Sequence, residues 1–400
     1  MFESTTYFTI INIHPVLGWH VMKSSKVCTV TFHTSYNYGA VLQTCALRKK
    51  VEELGYACDV LDYVPPFREP FFFERAKLFH RRSHPFLSVC YYILNSVILK
   101  KKRALRFQRF RDFMEKEYHL SAGKYKNCED LRTGTNEYDT FICGSDQIWN
   151  TGNYQADDGF FLNFVPDGKK KIAYAPSFGV NDLEEKSVDF VKKSLVSFHA
   201  LSTRESQGKK IISKYLERDS EVVLDPTFLI SREKWMELAS PYPINRPYIL
   251  CYFIHYSPQL IRLANAIKKK TGYPIYCIDR NGETFFRSEV NSIYDAGPRE
   301  FLTLIDNAAI VLTSSFHGTA FSINFNKPFV TQLRSSKDEK KSVNSRVLDL
   351  FARLNISNRV FHDQLMDQTD VLTMDYESVN QELMREREHS TGFLKTALEQ

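Results

Sequence analysis

The chain predicts an α/β fold of two doubly wound domains facing a cleft, and three observations predict it. Short apolar strands alternate with helix-period segments from Lys26 onward, the pattern of a parallel sheet. The alternation restarts after the proline-rich stretch "SPYPINRP", residues 240–247. The length of 400 residues exceeds the size at which one core stops growing.

The elements follow in order. Val27 to Phe32 reads as a strand, His33 to Gly39 as a glycine-bearing loop, Ala40 to Leu54 as a helix, and "GYACDVLDYV" as a second strand. This βαβ opening starts a Rossmann-like domain over residues 26–239. A helical, aromatic and basic insert at 65–120 interrupts it. "YDTFICGSDQIWN" and "KKIAYAPSFG" are strands with polar ends. "DFVKKSLVSFHALSTRESQGKKIISKYL" reads as helix, short strand and helix, and "EVVLDPTFLI" closes the half. A second Rossmann-like domain, 246–365, begins with "YILCYFI", the helix through "LIRLANAIKKKTG" and "YPIYCID". Its "AAIVLTSSFHGTAFSINFNKPFV" is a strand, a crossing and a short helix. From Asn344 the sequence turns helical and polar, and residues 366–400 read as a helical or frayed tail that packs back on the core. Residues 1–25 read as an N-terminal extension, and a translation start at Met22 is the simpler expectation, because "MKSSKVCTVTF" leads directly into a strand.

Composition narrows the class. Hydrophobic content of 43% with 25% charged residues describes a folded chain, and 31 Phe with 21 Tyr make it unusually aromatic. The eight cysteines show no CxxC and no Cys/His pair at zinc spacing, so reduced thiols in a cytoplasmic protein are expected, with no metal. No apolar run reaches the roughly 18 residues needed to span a bilayer. The net charge of +6 matters chiefly where the positive residues cluster.

Four constellations carry candidate chemistry. In "TSSFHGTAF" the free N–H groups of the helix start, with Ser314, Ser315, Gly318 and Thr319, make a candidate anion site. No Asp or Glu occurs from Thr313 to Lys337, while Lys327, Arg334 and Lys337 do, so the local field favours a phosphate or carboxylate. Beside that anion His317 is a candidate proton donor; a helix-capping or backbone-bonding histidine fits the same spacing. In "TSYNYGAVLQ", Asn37, Tyr38 and Gln43 offer polar contacts to a sugar and Gly39 allows close approach, though a tight turn without ligand fits equally. "GSDQIWN" delivers Ser145, Asp146, Gln147, Trp149 and Asn150 to a loop. Carboxylate, amide and indole together suit a carbohydrate, and Asp146 can take a proton from an attacking hydroxyl. An Asx turn capping the next helix is the alternative there. Arg204 in "LSTRESQGKKI" sits at a strand end, where a guanidinium binds carboxylate or phosphate in a bidentate manner or pairs with Glu205.

Together "NYGAVLQTCAL", "YDTFICGSDQIWN", "STRES", "VVLDPTFL" and "SSFHGTAFSINFNKPFV" resemble the polysaccharide pyruvyl transferase family, in the right order, from about Val27 to about Asn355. The resemblance implies a fold similar to the two-domain glycosyltransferase B architecture. It implies an enzyme without a cofactor that transfers the enolpyruvyl unit of the co-substrate phosphoenolpyruvate to two hydroxyls of a sugar. The products would be a pyruvate ketal and phosphate, in capsule, exopolysaccharide or cell-surface glycan biosynthesis. It makes His317 the general acid and Arg204 a donor-binding residue. One departure stands out: better-studied members of that family carry an arginine two residues before the histidine, where this chain has Ser315. Arg346 is the first candidate to replace that charge, ahead of Lys327 and Arg334.

The insert, rich in Arg, Lys, Phe and Tyr over 65–118, suits peripheral contact with the inner face of the cytoplasmic membrane and a lipid-linked oligosaccharide acceptor. A helical hairpin packed on the first domain suits it as well. No nucleic-acid recognition motif accompanies the charge. Two other functions compete. A sugar-nucleotide glycosyltransferase of the same architecture requires an acidic residue in the second domain to hold donor ribose or sugar. A non-catalytic carbohydrate-binding scaffold requires no proton donor.

Overall fold

The structure, a computed structural model, describes residues 23–66, 97–152, 156–254, 256–280, 282–285, 287–333, 344–366 and 370–400. The stretch before residue 23, residues 67–96 of the insert, and Arg334 and Lys337 lie outside the described residues.

The first domain holds a seven-stranded sheet in the order β3-β2-β1-β4-β5-β6-β7. Its strands are β1 (Lys23–Val30), β2 (Tyr56–Tyr63), β3 (Leu120–Tyr125), β4 (Thr140–Cys143), β5 (Lys170–Ala173), β6 (Ala200–Thr203) and β7 (Glu221–Val222). All its pairings are parallel. The second domain holds a five-stranded parallel sheet, β10-β9-β8-β11-β12. There β8 is Ile249–Tyr252, β9 Ile275–Ile278, β10 Val290–Ile293, β11 Ile310–Thr313 and β12 Phe329–Thr331. Strand order reverses at β1/β4 and at β8/β11, which opens a crevice at the carboxyl ends of the strands in each sheet.

Local sequence explains the elements. α1 (Tyr38–Glu53) starts where Asn37 accepts from the Gly39 amide at 3.0 Å. Ser257 and Pro258 open the helix Pro258–Thr271, three lysines occupy its last turn, and Gly272 at φ 73° ends it. Central strands β4 and β11 are buried throughout and read as continuous apolar runs. Edge strand β3 alternates exposed and buried residues and includes Gly123, which hid it from a hydrophobicity reading.

The two domains share one aromatic core. Tyr38 stacks on Phe301 at 4.6 Å and donates to the Ala296 carbonyl at 2.7 Å. The described part of the insert contributes the helix Lys100–Glu117, whose Phe110 and Phe113 enter this core. Arg109 of that helix donates to the Asp295 carbonyl at 2.9 Å, and Arg103 to the Arg280 carbonyl at 2.8 Å. This helix therefore ties one domain to the other. The tail, where fraying was one expectation, is helical through Glu377–Glu399 and returns to the first domain. Leu394 and Leu398 pack with Val27 and Leu47, and Lys170 Nζ donates to the Leu398 carbonyl at 2.9 Å. No described helix is long and apolar enough to cross a membrane.

Candidate active site

The loops that leave β1, β4, β5, β6, β7 and β11 converge at the switch points and bring five ionisable groups into contact. At the end of β6, Arg204 is 4% exposed. Its Nη1 donates to Asp225 Oδ2 at 2.9 Å, Nη2 lies 3.7 Å from Asp146 Oδ1, and Nε lies 4.0 Å from Glu205 Oε2. The last two distances exceed a hydrogen bond. Nε and Nη2 are accordingly buried donors with no hydrogen-bond partner among the described residues. The guanidinium stacks on the Phe316 ring, 4.5 Å from its centroid.

Asp225, which follows β7, is the hub. Its Oδ2 also accepts from Ser145 Oγ at 2.9 Å, and Oδ1 accepts from the Thr227 amide and hydroxyl at 3.0 and 2.8 Å. Burial pushes its carboxyl upward, but the charges of His317 and Arg204 and the Thr227 amide outweigh burial and hold it well below the usual carboxylate range. Asp146 adopts φ 76°, a left-handed turn that Asp tolerates, and its Oδ1 accepts from the Gln147 amide at 2.9 Å. Against burial, Arg204, His317 and Arg346 keep its carboxyl below the ordinary value. Glu205 is displaced the other way, because burial outweighs Arg204 and Arg346, although Ser177 Oγ donates to its Oε1 at 2.7 Å.

His317, 6% exposed, belongs to the second domain yet sits among groups of the first. Its Nε2 lies 3.5 Å from Asp225 Oδ2, and a Cβ on Gly39 would fall 2.0 Å from Nδ1. Gly39 is thus the residue that lets α1 approach the imidazole. Arg346, from the helix Ser345–Arg353, lies over Phe316 at 5.9 Å. The Gln147 amide oxygen, turned toward it, accepts from both its Nη atoms at 2.9 Å; turned away, it accepts from Asn150 at 3.1 Å.

His317, Asp146, Arg204 and Arg346, named from sequence, are therefore brought together, with Gln147 and Asn150 beside them. Others go elsewhere. Lys327 lies beyond the far end of the helix Phe316–Asn324, roughly 12 Å along its axis at 1.5 Å per residue, and is removed from the donor group. Trp149 is fully buried and stacks on Phe161 at 5.5 Å, so its face is not open to a sugar. Tyr38 is likewise occupied inside the shared core. Gln43 is buried and donates to Thr31 Oγ1 at 3.0 Å, while Thr31 donates to the Ser145 carbonyl at 2.8 Å; both brace the β4 loop. At the helix start, Ser315 Oγ accepts from the Gly318 amide at 3.3 Å, Ser314 Oγ from the Ile254 amide at 3.2 Å, and Thr319 Oγ1 pairs with Thr331 Oγ1 at 2.6 Å. These hydroxyls shape the turn. Asn37 is half-buried at the mouth of α1.

The acid-free run around His317 does not make a purely positive field, because the first domain supplies Asp225 and Asp146. Asp225 and Glu205 were not singled out from sequence; the one available signal was their position in "VVLDPTFL" and "STRES". Among the described residues no three His, Cys, Asp or Glu side chains gather as metal ligands. The arrangement can hold an anion on arginine donors, deliver a proton and accept one.

The fold and the motifs both have counterparts. The putative UDP-N-acetylglucosamine 2-epimerase from Listeria monocytogenes superposes with a TM-score of 0.51 at 9% identity, covering 90% of this chain and 91% of that one. The UDP-GlcNAc 2-epimerase from Neisseria meningitidis bound to UDP-GlcNAc gives 0.45 at 11% identity, covering 90% and 100%. UGT89C1 of Arabidopsis thaliana complexed with UDP-L-rhamnose gives 0.47 at 13%, covering 93% and 95%. The fold is α/β with two parallel sheets, of the glycosyltransferase B kind. No curated protein matches the chain. The sequence profile of polysaccharide pyruvyl transferases matches residues 37–331.

Proposed function

We propose, on the premise that this chain belongs to the polysaccharide pyruvyl transferase family, that it transfers pyruvate from phosphoenolpyruvate to a pair of sugar hydroxyls as a ketal. The observation that carries the reading is Arg204, a buried guanidinium with two donors left unpartnered close to the His317 imidazole. Unpaired buried donors are costly, and a carboxylate or phosphate satisfies them.

In this mechanism Arg204 and Arg346 hold the donor's carboxylate and phosphate, and His317 protonates its methylene carbon. The oxocarbenium-like centre that develops is attacked by one acceptor hydroxyl, whose proton passes to Asp146. The second hydroxyl then displaces phosphate and closes the ring, its proton returning to His317 while Asp146 passes its own to the departing phosphate, so that one diol and one phosphoenolpyruvate give one ketal and one phosphate. Positioning and electrostatics supply the rate. Asn37, Ser145, Gln147 and Asn150 are the polar groups proposed for the acceptor, Ser145 while it also donates to Asp225. Arg346 takes the place of the charge missing at Ser315. The glycosyltransferase reading loses support because Asp279, the acid at the end of β9, is consumed by the Gly282, Glu283 and Thr284 amides at 2.7 to 3.2 Å.

Phosphate release from phosphoenolpyruvate in the presence of oligosaccharide acceptors tests the function. Release is expected only with both substrates. Arg346→Ala should raise the donor KM at least tenfold, and an unchanged KM removes Arg346 from the role.

We also propose that the acceptor is lipid-linked and that the protein meets the inner face of the cytoplasmic membrane. Val97 and Ile98, 67% and 56% exposed, precede Lys100, Lys101 and Lys102 at the start of the interdomain helix. Apolar tips beside lysines fit an anionic lipid surface. Flotation with anionic liposomes at low salt should carry the protein upward, and absence of binding there ends this reading.

A further inference from the structure

We propose that Asp225 is a positioning residue that holds one ring nitrogen of His317, Nε2, and thereby leaves Nδ1 as the nitrogen that exchanges a proton with substrate. The proposal deepens the transferase reading and rests on it only for what the free nitrogen does.

The geometry is a seat built by one domain for the histidine of the other. Asp225 cannot swing away, because Ser145 and Arg204 fix Oδ2 while both donors of Thr227 fix Oδ1. It is 1% exposed, so the direction of its carboxylate is set by these four contacts rather than by solvent. The imidazole Nε2 is buried and makes no hydrogen bond to any described residue, and Asp225 Oδ2 faces it at an ion-pair distance of 3.5 Å. On the other edge the ring packs closely on Gly39, where a Cβ would fall 2.0 Å from Nδ1. A second carboxylate, Asp146, feels the charges of His317, Arg204 and Arg346 together. A carboxylate opposite one nitrogen fixes the tautomer and aims the other, the arrangement by which acid–base histidines are oriented. Here the carboxylate lies on one domain and the imidazole on the other. The proton donor is therefore correctly aimed only while the domains are closed together.

Long-range proton–nitrogen NMR on histidine-labelled protein tests this without any substrate, so failure of the transferase reading does not affect the outcome. His317→Gln identifies the signals. At a pH where the ring is neutral, the expected result is a proton on Nε2 in the wild type. Asp225→Asn should populate both tautomers, because an amide opposite Nε2 can donate as well as accept. Ser145→Ala, which removes one contact and retains the carboxylate, should keep the Nε2 proton and provides the comparison if Asp225→Asn does not fold. A proton on Nδ1 in the wild type, or an unchanged single tautomer in Asp225→Asn, overturns the proposal.

Discussion

Arg204 sits among buried charges, and its neighbours titrate in opposite directions for physical reasons that predict a pH effect. Glu205 has its carboxyl raised, with burial as the leading cause. Its folded form therefore binds a proton more tightly than the unfolded chain does. Between the unfolded value, about 4.3, and the raised folded value, this group makes stability fall as pH rises. Glu205→Gln should abolish that component. Melting temperatures recorded from acid to neutral pH should show the variant gaining on the wild type through the window and then running parallel; a constant difference contradicts the assignment. Asp225 has the opposite sign, contributing stability above the carboxylate range that is lost as pH falls. At this scale the sequence was partly legible. His317, Arg204 and Asp146 stood at strand ends, where loops carry chemistry. Asp225 was hidden because Ser145 lies 80 residues away and Arg204 21, and only the parallel topology brings them to one point. Trp149 misled because an indole in a polar loop reads as exposed, while its neighbours Phe161, Phe178 and Phe198 close over it.

The helix Lys100–Glu117 shows what periodic reading captures and misses. Its basic face was visible in sequence, but its partners were not, because Phe113 meets Arg299, and Arg109 and Arg103 bond the Asp295 and Arg280 carbonyls, all far along the chain. Phe110 meets Tyr38 at 5.0 Å and Tyr36 at 5.7 Å, next to the start of α1 that seats His317. Phe110→Ala should cost about 3–5 kcal/mol, the range for deleting a buried phenyl ring. Urea unfolding of the pure variant checks it, and a loss below about 1 kcal/mol contradicts the packing of this ring in the shared core. Strands β4 and β11 were legible because burial on both faces writes itself as an unbroken apolar run. The short β7 and the half-exposed β3 write no such signal.

At the level of the whole molecule, two doubly wound domains were readable from one restart of the βα pattern, and the domains do face one another. What the pattern could not convey is how they are joined. The shared core of Tyr38, Phe110, Tyr252, Phe301 and Phe321 is large and apolar, so closure is a property of the packed fold rather than of a loose hinge. The central claim is that this closed pair assembles a phosphoenolpyruvate site from Arg204, Arg346 and His317. Thermal denaturation with phosphoenolpyruvate and, separately, with UDP-sugars tests it most directly, using wild type, Arg346→Ala and His317→Ala. Phosphoenolpyruvate alone should raise the melting temperature, with the rise abolished in Arg346→Ala and diminished in His317→Ala. Stabilisation of the wild type by a UDP-sugar with no response to phosphoenolpyruvate would contradict it.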